Sequence, residues 1–197
     1  MKKIHYITAI ISFLLFMSIA HFVFYGMEIF GENYLMTNMK DLHFLVPFSV
    51  IGTEIVIGIA SVALILYLWW GKKDYVGILT VVVLVAGSNV LNKLIKSLMK
   101  RERPTFAHIE EGFSFPSGHA MVGLVFLLVI AYFISKECAS VRIKAAVYTS
   151  AVLLALLTGF SRITQGAHYP SDVAAGFLLG YAYFVLCIFL YEKRGRD

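Results

Sequence analysis

The chain has 197 residues, of which 59% are hydrophobic and 15% are charged. Ordinary soluble domains contain roughly 45–50% apolar and about 25% charged residues, so this composition excludes that class and indicates an integral membrane protein. The formal net charge is +5, but the basic residues cluster at the ends of apolar runs and form no long basic stripe, which argues against nucleic-acid binding.

Six apolar runs are long enough to cross a bilayer, which needs about 20 residues per helix. They predict an all-α, polytopic membrane protein with six transmembrane helices and a single domain over residues 1–197. The fourth run is the shortest and needs its polar flanks to complete a span. In chain order the runs cover residues 4–25, 48–70, 75–99, 119–135, 145–164 and 172–191.

The first run also resembles a secretory signal peptide. It follows Lys2 and Lys3 and contains the small-residue sequence Ser18-Ile19-Ala20, which is typical of a cleavage site. The run continues to Tyr25, and this extension favours an uncleaved first transmembrane helix.

Residues 26–47 join the first two spans and are too polar to cross the membrane, yet too apolar for a plain loop. One interpretation is a helix that lies in the membrane interface with its apolar face in the lipid. An ordinary extracellular loop is an equally good interpretation. The apolar face would contain Leu35, Met36, Met39, Leu42, Phe44 and Leu45.

Six spans place both termini on one side of the membrane, and that side carries a large group of bases. Because lysine and arginine are enriched in cytoplasmic segments, we expect both termini in the cytoplasm. A second basic group falls on the outer side and breaks this tendency. The first group is Lys2, Lys3, Lys72, Lys73, Lys136, Arg142, Lys144, Lys193, Arg194 and Arg196; the second is Lys96, Lys100, Arg101, Arg103 and Arg162.

Three polar clusters lie together on this outer side, although they are far apart in the sequence. The segment KSLMKRERP (96–104) ends the third span, PSGH (116–119) opens the fourth, and SRITQGAHYPSD (161–172) joins the last two. The topology therefore brings them to one membrane surface.

The clusters contain the groups that bind a tetrahedral oxyanion. Arg103 and Arg162 can each hold two oxygens, and Lys96 adds a point charge. Ser117 and Gly118 stand where a helix N-terminus presents backbone amides that have no partner within the helix. These residues predict a phosphate-binding site.

Two histidines in the same clusters indicate catalysis rather than binding alone. His119 and His168 each stand at a helix start, and near neutral pH an imidazole serves as a nucleophile or as a general acid. Asp172 follows His168 by four residues, a spacing that lets its carboxylate orient the ring and stabilise a positive charge on it.

These clusters resemble the complete three-part signature of the type-2 phosphatidic acid phosphatase superfamily of lipid phosphate phosphatases. The six-span layout is similar to the small bacterial branch, which includes phosphatidylglycerophosphate phosphatase B and undecaprenyl pyrophosphate phosphatases. In this sequence the signature comprises Lys96, six residues, Arg103-Pro104; then Pro116-Ser117-Gly118-His119; then Ser161-Arg162, five residues, His168, three residues and Asp172.

The resemblance implies a role for each matching residue. His168 would attack phosphorus and form a phosphohistidine, Asp172 would be its partner, and His119 would protonate the leaving oxygen and then help to activate water. The family requires no metal or other cofactor. The phosphoryl oxygens would be held by Lys96, Arg103, Ser117, Gly118 and Arg162.

The resemblance also implies the substrate class and location. The substrate would be a lipid phosphate such as phosphatidylglycerol phosphate, phosphatidic acid or undecaprenyl pyrophosphate. The enzyme would lie in a bacterial cytoplasmic membrane, with its active site facing outward.

Two other functions fit some of the same residues. A vanadate-dependent haloperoxidase is one, because the signature residues also resemble the vanadate pocket of that related family; the apolar chain argues against it. A transporter or binding protein for phosphorylated lipids is the other, and in that case the histidines would be expendable.

Glu54 is an acid within the second span, so it is a candidate for function. It has an equally simple structural explanation, in which it pairs with Lys93 or bonds to Asn89 or Asn92 on the third span.

Four further residues lie close to these clusters or in the last span. We expect Lys100 and Arg101 to be solvated or to contact lipid headgroups rather than to take part in catalysis. Gly176 and Gly180 are four residues apart, a pattern that predicts a close contact between helices.

Overall fold

The computed structural model describes residues 3–104 and 111–194. All regular secondary structure in these two ranges is helical, and six helices are long and apolar enough to cross a membrane, which confirms the predicted fold class. Lys2 and Arg196 of the first basic group lie outside the described residues, and the sidedness of the termini stays a prediction. The helices are α1 (Lys3–Phe24), α2 (Glu32–Met39), a 3₁₀ helix (His43–Gly52), α3 (Glu54–Leu66) with a π-helical continuation (Tyr67–Lys72), α4 (Tyr75–Met99), α5 (Gly118–Glu137), α6 (Val141–Thr164) and α7 (Pro170–Arg194).

The start predicted for the second span is wrong. Residues 48–52 belong to the 3₁₀ helix that contains Pro47, and the spanning helix begins at Glu54. Thr53 separates the two as an N-cap whose hydroxyl accepts a hydrogen bond from the Val56 amide, and threonine is a common residue in that position.

The second span has 19 residues and α5 has 20, so the second span, not the fourth, is the shorter. The other five runs agree with their helices to within about four residues at each end.

Helix α5 lies at the centre of the bundle. Its sequence is apolar on all sides, as expected of a helix surrounded by other helices. In its most apolar stretch 72% of the residues are buried within the protein, whereas the corresponding share in α1 is 6%. It packs against α4, α6 and α7, so its N-terminus, which carries the PSGH cluster, is surrounded by the ends of those helices.

Gly176 and Gly180 bring α7 against the backbone of α5, which confirms the predicted close contact. A Cβ atom at Gly176 would lie 2.8 Å from the carbonyl oxygen of Ser117, and one at Gly180 would lie 2.8 Å from that of Met121. Because the helices approach so closely, the Ser117 amide donates a hydrogen bond to the Asp172 carbonyl over 3.0 Å. The contact therefore joins the second and third polar clusters.

The segment 26–47 contains a helix, α2, but its apolar residues do not share one exposed face. Met36 and Leu45 are each only 4% exposed, whereas Phe44 is 68% exposed. Met36 packs against residues of α5, α6 and α7. Helix α2 is thus docked on the protein beside the three polar clusters.

Replacing Gly180 with alanine should lower the midpoint of thermal unfolding in detergent micelles, because the new methyl group would lie 2.8 Å from the Met121 carbonyl oxygen. Overpacking of this kind costs about 1–3 kcal/mol. Gly58→Ala in α3 is the matched control, since no atom lies within 4 Å of that position, and its midpoint should equal or slightly exceed that of the parent. An unchanged midpoint in Gly180→Ala would contradict the close α5–α7 contact.

Candidate active site

The three polar clusters meet at one end of the bundle, where α4 ends, α5 begins and α6 is connected to α7. The structure brings all eight predicted site residues together there. Ser117, Arg162 and Asp172 are buried beside a cavity. The cavity itself is lined by Lys96, Arg103, Gly118, His119 and His168 among others.

His168 lies in the connection between α6 and α7, with only 1% of its surface exposed. Its Nδ1 atom is 3.5 Å from Asp172 Oδ2, and its Nε2 atom is 3.5 Å from Arg103 Nη1. Asp172 Oδ2 also accepts a 2.9 Å hydrogen bond from the Tyr169 amide, one half of the capping arrangement found at helix starts. The ring is therefore oriented with Nδ1 toward the carboxylate and Nε2 toward the cations.

The surroundings of His168 favour the neutral imidazole. Burial lowers the pKa of His168 to about 4, with smaller contributions in the same direction from Lys96 and Arg103, while Asp172 opposes the shift. A neutral ring has a lone pair available for attack, so the geometry and the protonation state both suit a nucleophile.

The N-terminus of α5 has a serine that does not cap it in the usual way. Ser117 occupies the N-cap position and is fully buried, but its side chain makes no capping hydrogen bond. Within the described ranges its Oγ atom has no hydrogen-bond partner. The hydroxyl and the first amides of α5, including that of Gly118, can therefore bind an anion. Asn92 fixes this turn by donating a 3.1 Å hydrogen bond to the Pro116 carbonyl.

The three cationic side chains are held by hydrogen bonds to nearby acceptors. Lys96 Nζ donates to the Phe113 carbonyl over 2.8 Å, and Arg103 Nη1 donates to the Ala167 carbonyl over 2.7 Å. Arg162 Nη1 donates to the Gln165 side chain over 2.9 Å. The cations are thus ordered before any anion arrives, as electrostatic catalysis requires.

Among the described residues that line the cavity, Glu54 alone carries a carboxylate. Across residues 3–104 and 111–194, no group of three or more histidine, cysteine, aspartate or glutamate side chains is placed to hold a metal ion. The charged groups that an oxyanion would meet here belong to arginine and lysine.

The expectation for Arg101 is wrong. Its guanidinium, 18% exposed, donates hydrogen bonds to Asp172 Oδ1 over 2.7 Å and to Glu32 Oε2 over 2.8 Å. Lys100 differs, because its side chain is exposed as expected and its backbone ends α4 in the left-handed conformation, with φ 49°. Because α4 ends at that residue, Arg101 lies outside the helix and its side chain reaches Glu32 and Asp172, an effect that the order of residues in the motif did not indicate.

Glu32 and Gly52 also belong to the site, and no motif marks them. The Glu32 carboxylate accepts hydrogen bonds from the amide and hydroxyl of Ser171. A Cβ atom at Gly52 would lie 2.6 Å from the His119 ring, so glycine lets the 3₁₀ helix contact that ring. The only signal in the sequence was an acid beside a glycine, Gly31-Glu32, in a largely apolar connection.

Glu54 pairs with Lys93 over 3.3 Å, which confirms the structural explanation for this acid. The expected position within the second span is wrong, because the spanning helix begins at Glu54. Both side chains are well exposed and lie on the lining of the cavity. A contact between Glu54 and substrate stays a prediction.

The chain is similar to known proteins over most of its length. The model of the PAP2 superfamily matches residues 77–196. Phosphatidylglycerophosphatase B of Bacillus subtilis (strain 168) is 40% identical over 129 residues, which make up 64% of this chain and 63% of that protein. Lipid A 1-phosphatase of Rhizobium etli is 32% identical over 123 residues, or 56% of this chain and 49% of that protein. The chain thus matches less than two thirds of the length of either relative.

A solved structure extends the similarity to nearly the whole chain. It is the crystal structure described as the first transmembrane PAP2 type phosphatidylglycerolphosphate phosphatase from Bacillus subtilis. The TM-score is 0.82 at 27% sequence identity, and the match covers 94% of this chain and 96% of that one. The arrangement of the helices is therefore common to both proteins.

Proposed function

The chain belongs to the PAP2 superfamily, and on that premise we propose that it is a membrane enzyme that hydrolyses lipid phosphomonoesters or pyrophosphates without a metal ion. One observation carries the proposal. Two histidines, Lys96, Arg103 and the N-terminus of α5 line a cavity whose remaining lining is largely apolar. Arg162 is buried next to His168. Such a cavity suits a molecule with a phosphate at one end and a hydrocarbon chain at the other.

In the first step Nε2 of neutral His168 attacks the phosphorus atom. A P–N bond forms, the P–O bond to the lipid breaks, and His119 gives its proton to the departing oxygen. Asp172 stabilises the positive charge that develops on the imidazole. Arg103 and Lys96 offset the negative charge on the phosphoryl oxygens.

In the second step a water molecule hydrolyses the phosphohistidine. His119, now neutral, accepts a proton from the water as its oxygen bonds to phosphorus. The P–N bond breaks, and inorganic phosphate and neutral His168 are regenerated. During both steps the remaining phosphoryl oxygens are held by Ser117, Gly118 and Arg162.

The cavity supports a lipid rather than a water-soluble substrate. Its volume is about 590 Å³, and beyond the histidines it continues between α3 and α4, two helices that cross the membrane. Burying hydrocarbon there would contribute roughly 0.8 kcal/mol per methylene group. The apolar residues along this part of the cavity are Ile57, Val62, Ile65, Val81, Val82, Val85 and Ala86.

The relatives support the same substrate class, since their names describe phosphatases of phosphatidylglycerophosphate and of lipid A. Candidate substrates for this chain are phosphatidylglycerol phosphate, phosphatidic acid and undecaprenyl pyrophosphate. We place the enzyme in the bacterial cytoplasmic membrane with the site facing outward. The cations of the site, together with Arg101, then account for all of the second basic group except Lys100.

Hydrolysis of a long-chain lipid phosphate should continue in excess EDTA and should be inhibited by vanadate, because arginine and lysine offset the charge on the phosphoryl oxygens. The assay is phosphate release by the purified protein in detergent micelles. Activity that disappears with EDTA and returns with magnesium would contradict metal-independent hydrolysis.

Gly58→Phe should reduce kcat/KM for a long-chain lipid phosphate on the order of tenfold, because its ring would occupy the apolar part of the cavity. The value for a water-soluble sugar phosphate, which is expected to be far lower in the parent, should change little. Ile59→Phe is the matched control, because Ile59 is 69% exposed and is not part of the cavity lining. Equal values for the two substrates in the parent, or an unaltered ratio in Gly58→Phe, would contradict the assignment of this cavity to the lipid chain.

A further inference from the structure

A group of polar side chains lies behind Asp172, on the side away from the cavity. Arg101 is at its centre, with hydrogen bonds of 2.7 Å to Asp172, 2.8 Å to Glu32 and 2.7 Å to the Ser171 hydroxyl. The guanidinium also lies over the Tyr169 ring, 4.0 Å from its centroid. All of these contacts are made by residues outside the part of the motif that binds phosphate.

Glu32 reaches this group from α2, a separate element of the chain. One carboxylate oxygen accepts hydrogen bonds from Ser171, whose amide belongs to the first turn of α7, and the other accepts from Arg101. A carboxylate at this end of a helix is favoured by the helix dipole and satisfies an amide that has no partner within the helix. Glu32 is 9% exposed, so it is held by these partners and not by solvent.

The net charge of this group determines how strongly Asp172 stabilises a positive charge on His168. If Arg101 had Asp172 as its only acidic partner, the pair would be neutral and would attract an imidazolium weakly. Glu32 is a second acidic partner on the same guanidinium, so the three side chains together carry one net negative charge. That charge lies next to the ring on which positive charge develops as it attacks phosphorus.

We propose that Glu32 is a positioning residue for the nucleophile: by sharing Arg101 and capping α7, it keeps Asp172 in place and preserves the negative charge that stabilises His168. The inference rests on the proposed function, in which His168 attacks phosphorus. It adds α2, which carries no signature residue, to the machinery of the site.

The first test compares Glu32→Gln with Glu28→Gln, in which an exposed acid of the same connection is changed. With a long-chain lipid phosphate, Glu32→Gln should lower kcat on the order of tenfold to a hundredfold, the worth of a lost charge-assisted hydrogen bond, and leave KM within about threefold. Glu28→Gln should behave like the parent. Equal kcat values for the parent and Glu32→Gln would overturn the proposal.

A second readout requires no turnover and so separates this inference from the proposed function. In ¹⁵N-histidine NMR, His168 is assigned as the resonance lost in His168→Gln. Its titration midpoint should fall in Glu32→Gln, because a negative charge is removed while Asp172, Lys96 and Arg103, the charged groups that face the ring, are unchanged. An unmoved midpoint would overturn the role of Glu32. Absence of lipid phosphate hydrolysis in the parent would instead refute the proposed function.

A double variant tests whether Glu32 acts on Asp172 through Arg101. The loss of kcat in Glu32→Gln/Arg101→Gln should be smaller than the combined losses of the two single variants, since both changes disrupt one network. Losses that combine in full would count against the proposal. If Glu32→Gln does not fold, Ser171→Ala serves in its place, because it deletes the hydroxyl that bonds both Glu32 and Arg101 and keeps all three charges. Its kcat should fall about threefold to tenfold with KM little changed, and a kcat equal to that of the parent would overturn the positioning role.

Discussion

The buried carboxylate of Asp172 is the constraint around which this end of the protein is organised. A charge removed from water is costly unless it is paired and hydrogen-bonded. Asp172 meets that requirement through the guanidinium of Arg101, the amide of Tyr169 and the ring of His168, while its own carbonyl accepts from Ser117. Three segments of the chain, which contain Arg101, Ser117 and His168, therefore come together at Asp172, and when they do, the proposed phosphate-binding groups are already in register.

The same requirement explains why the centre of the bundle is packed so closely. Helix α7 can deliver Asp172 to the start of α5 only if the two backbones touch, and Gly176 and Gly180 permit that approach. In a bilayer the hydrophobic effect does not drive helices together, so close packing between small residues supplies much of the attraction. The α3–α4 side is packed less tightly, and the cavity lies there. Tight packing thus fixes the proposed catalytic groups, while the open side leaves room for the hydrocarbon chain of the proposed substrate.

Much of this arrangement could be predicted from the sequence because two strong regularities apply. A bilayer demands about 20 apolar residues per span, and a phosphate site demands cations and helix amides at one surface. The start of α3 could not be predicted, because hydrophobicity does not distinguish a 3₁₀ helix from the first turns of a span. The roles of Arg101 and Glu32 could not be predicted for a different reason. Their roles depend on the direction of the chain after Lys100 and on contacts between distant segments, neither of which has a local pattern.

The central claim is that His168 becomes covalently phosphorylated, and it can be tested by stopping turnover with denaturant under alkaline conditions and analysing the peptides by mass spectrometry. A covalent step at His168 predicts an acid-labile phosphate on that residue in the parent protein. It also predicts no phosphorylated peptide and no hydrolysis in His168→Gln. Rapid hydrolysis by the parent with no phosphohistidine at any time point, or sustained hydrolysis by His168→Gln, would contradict it.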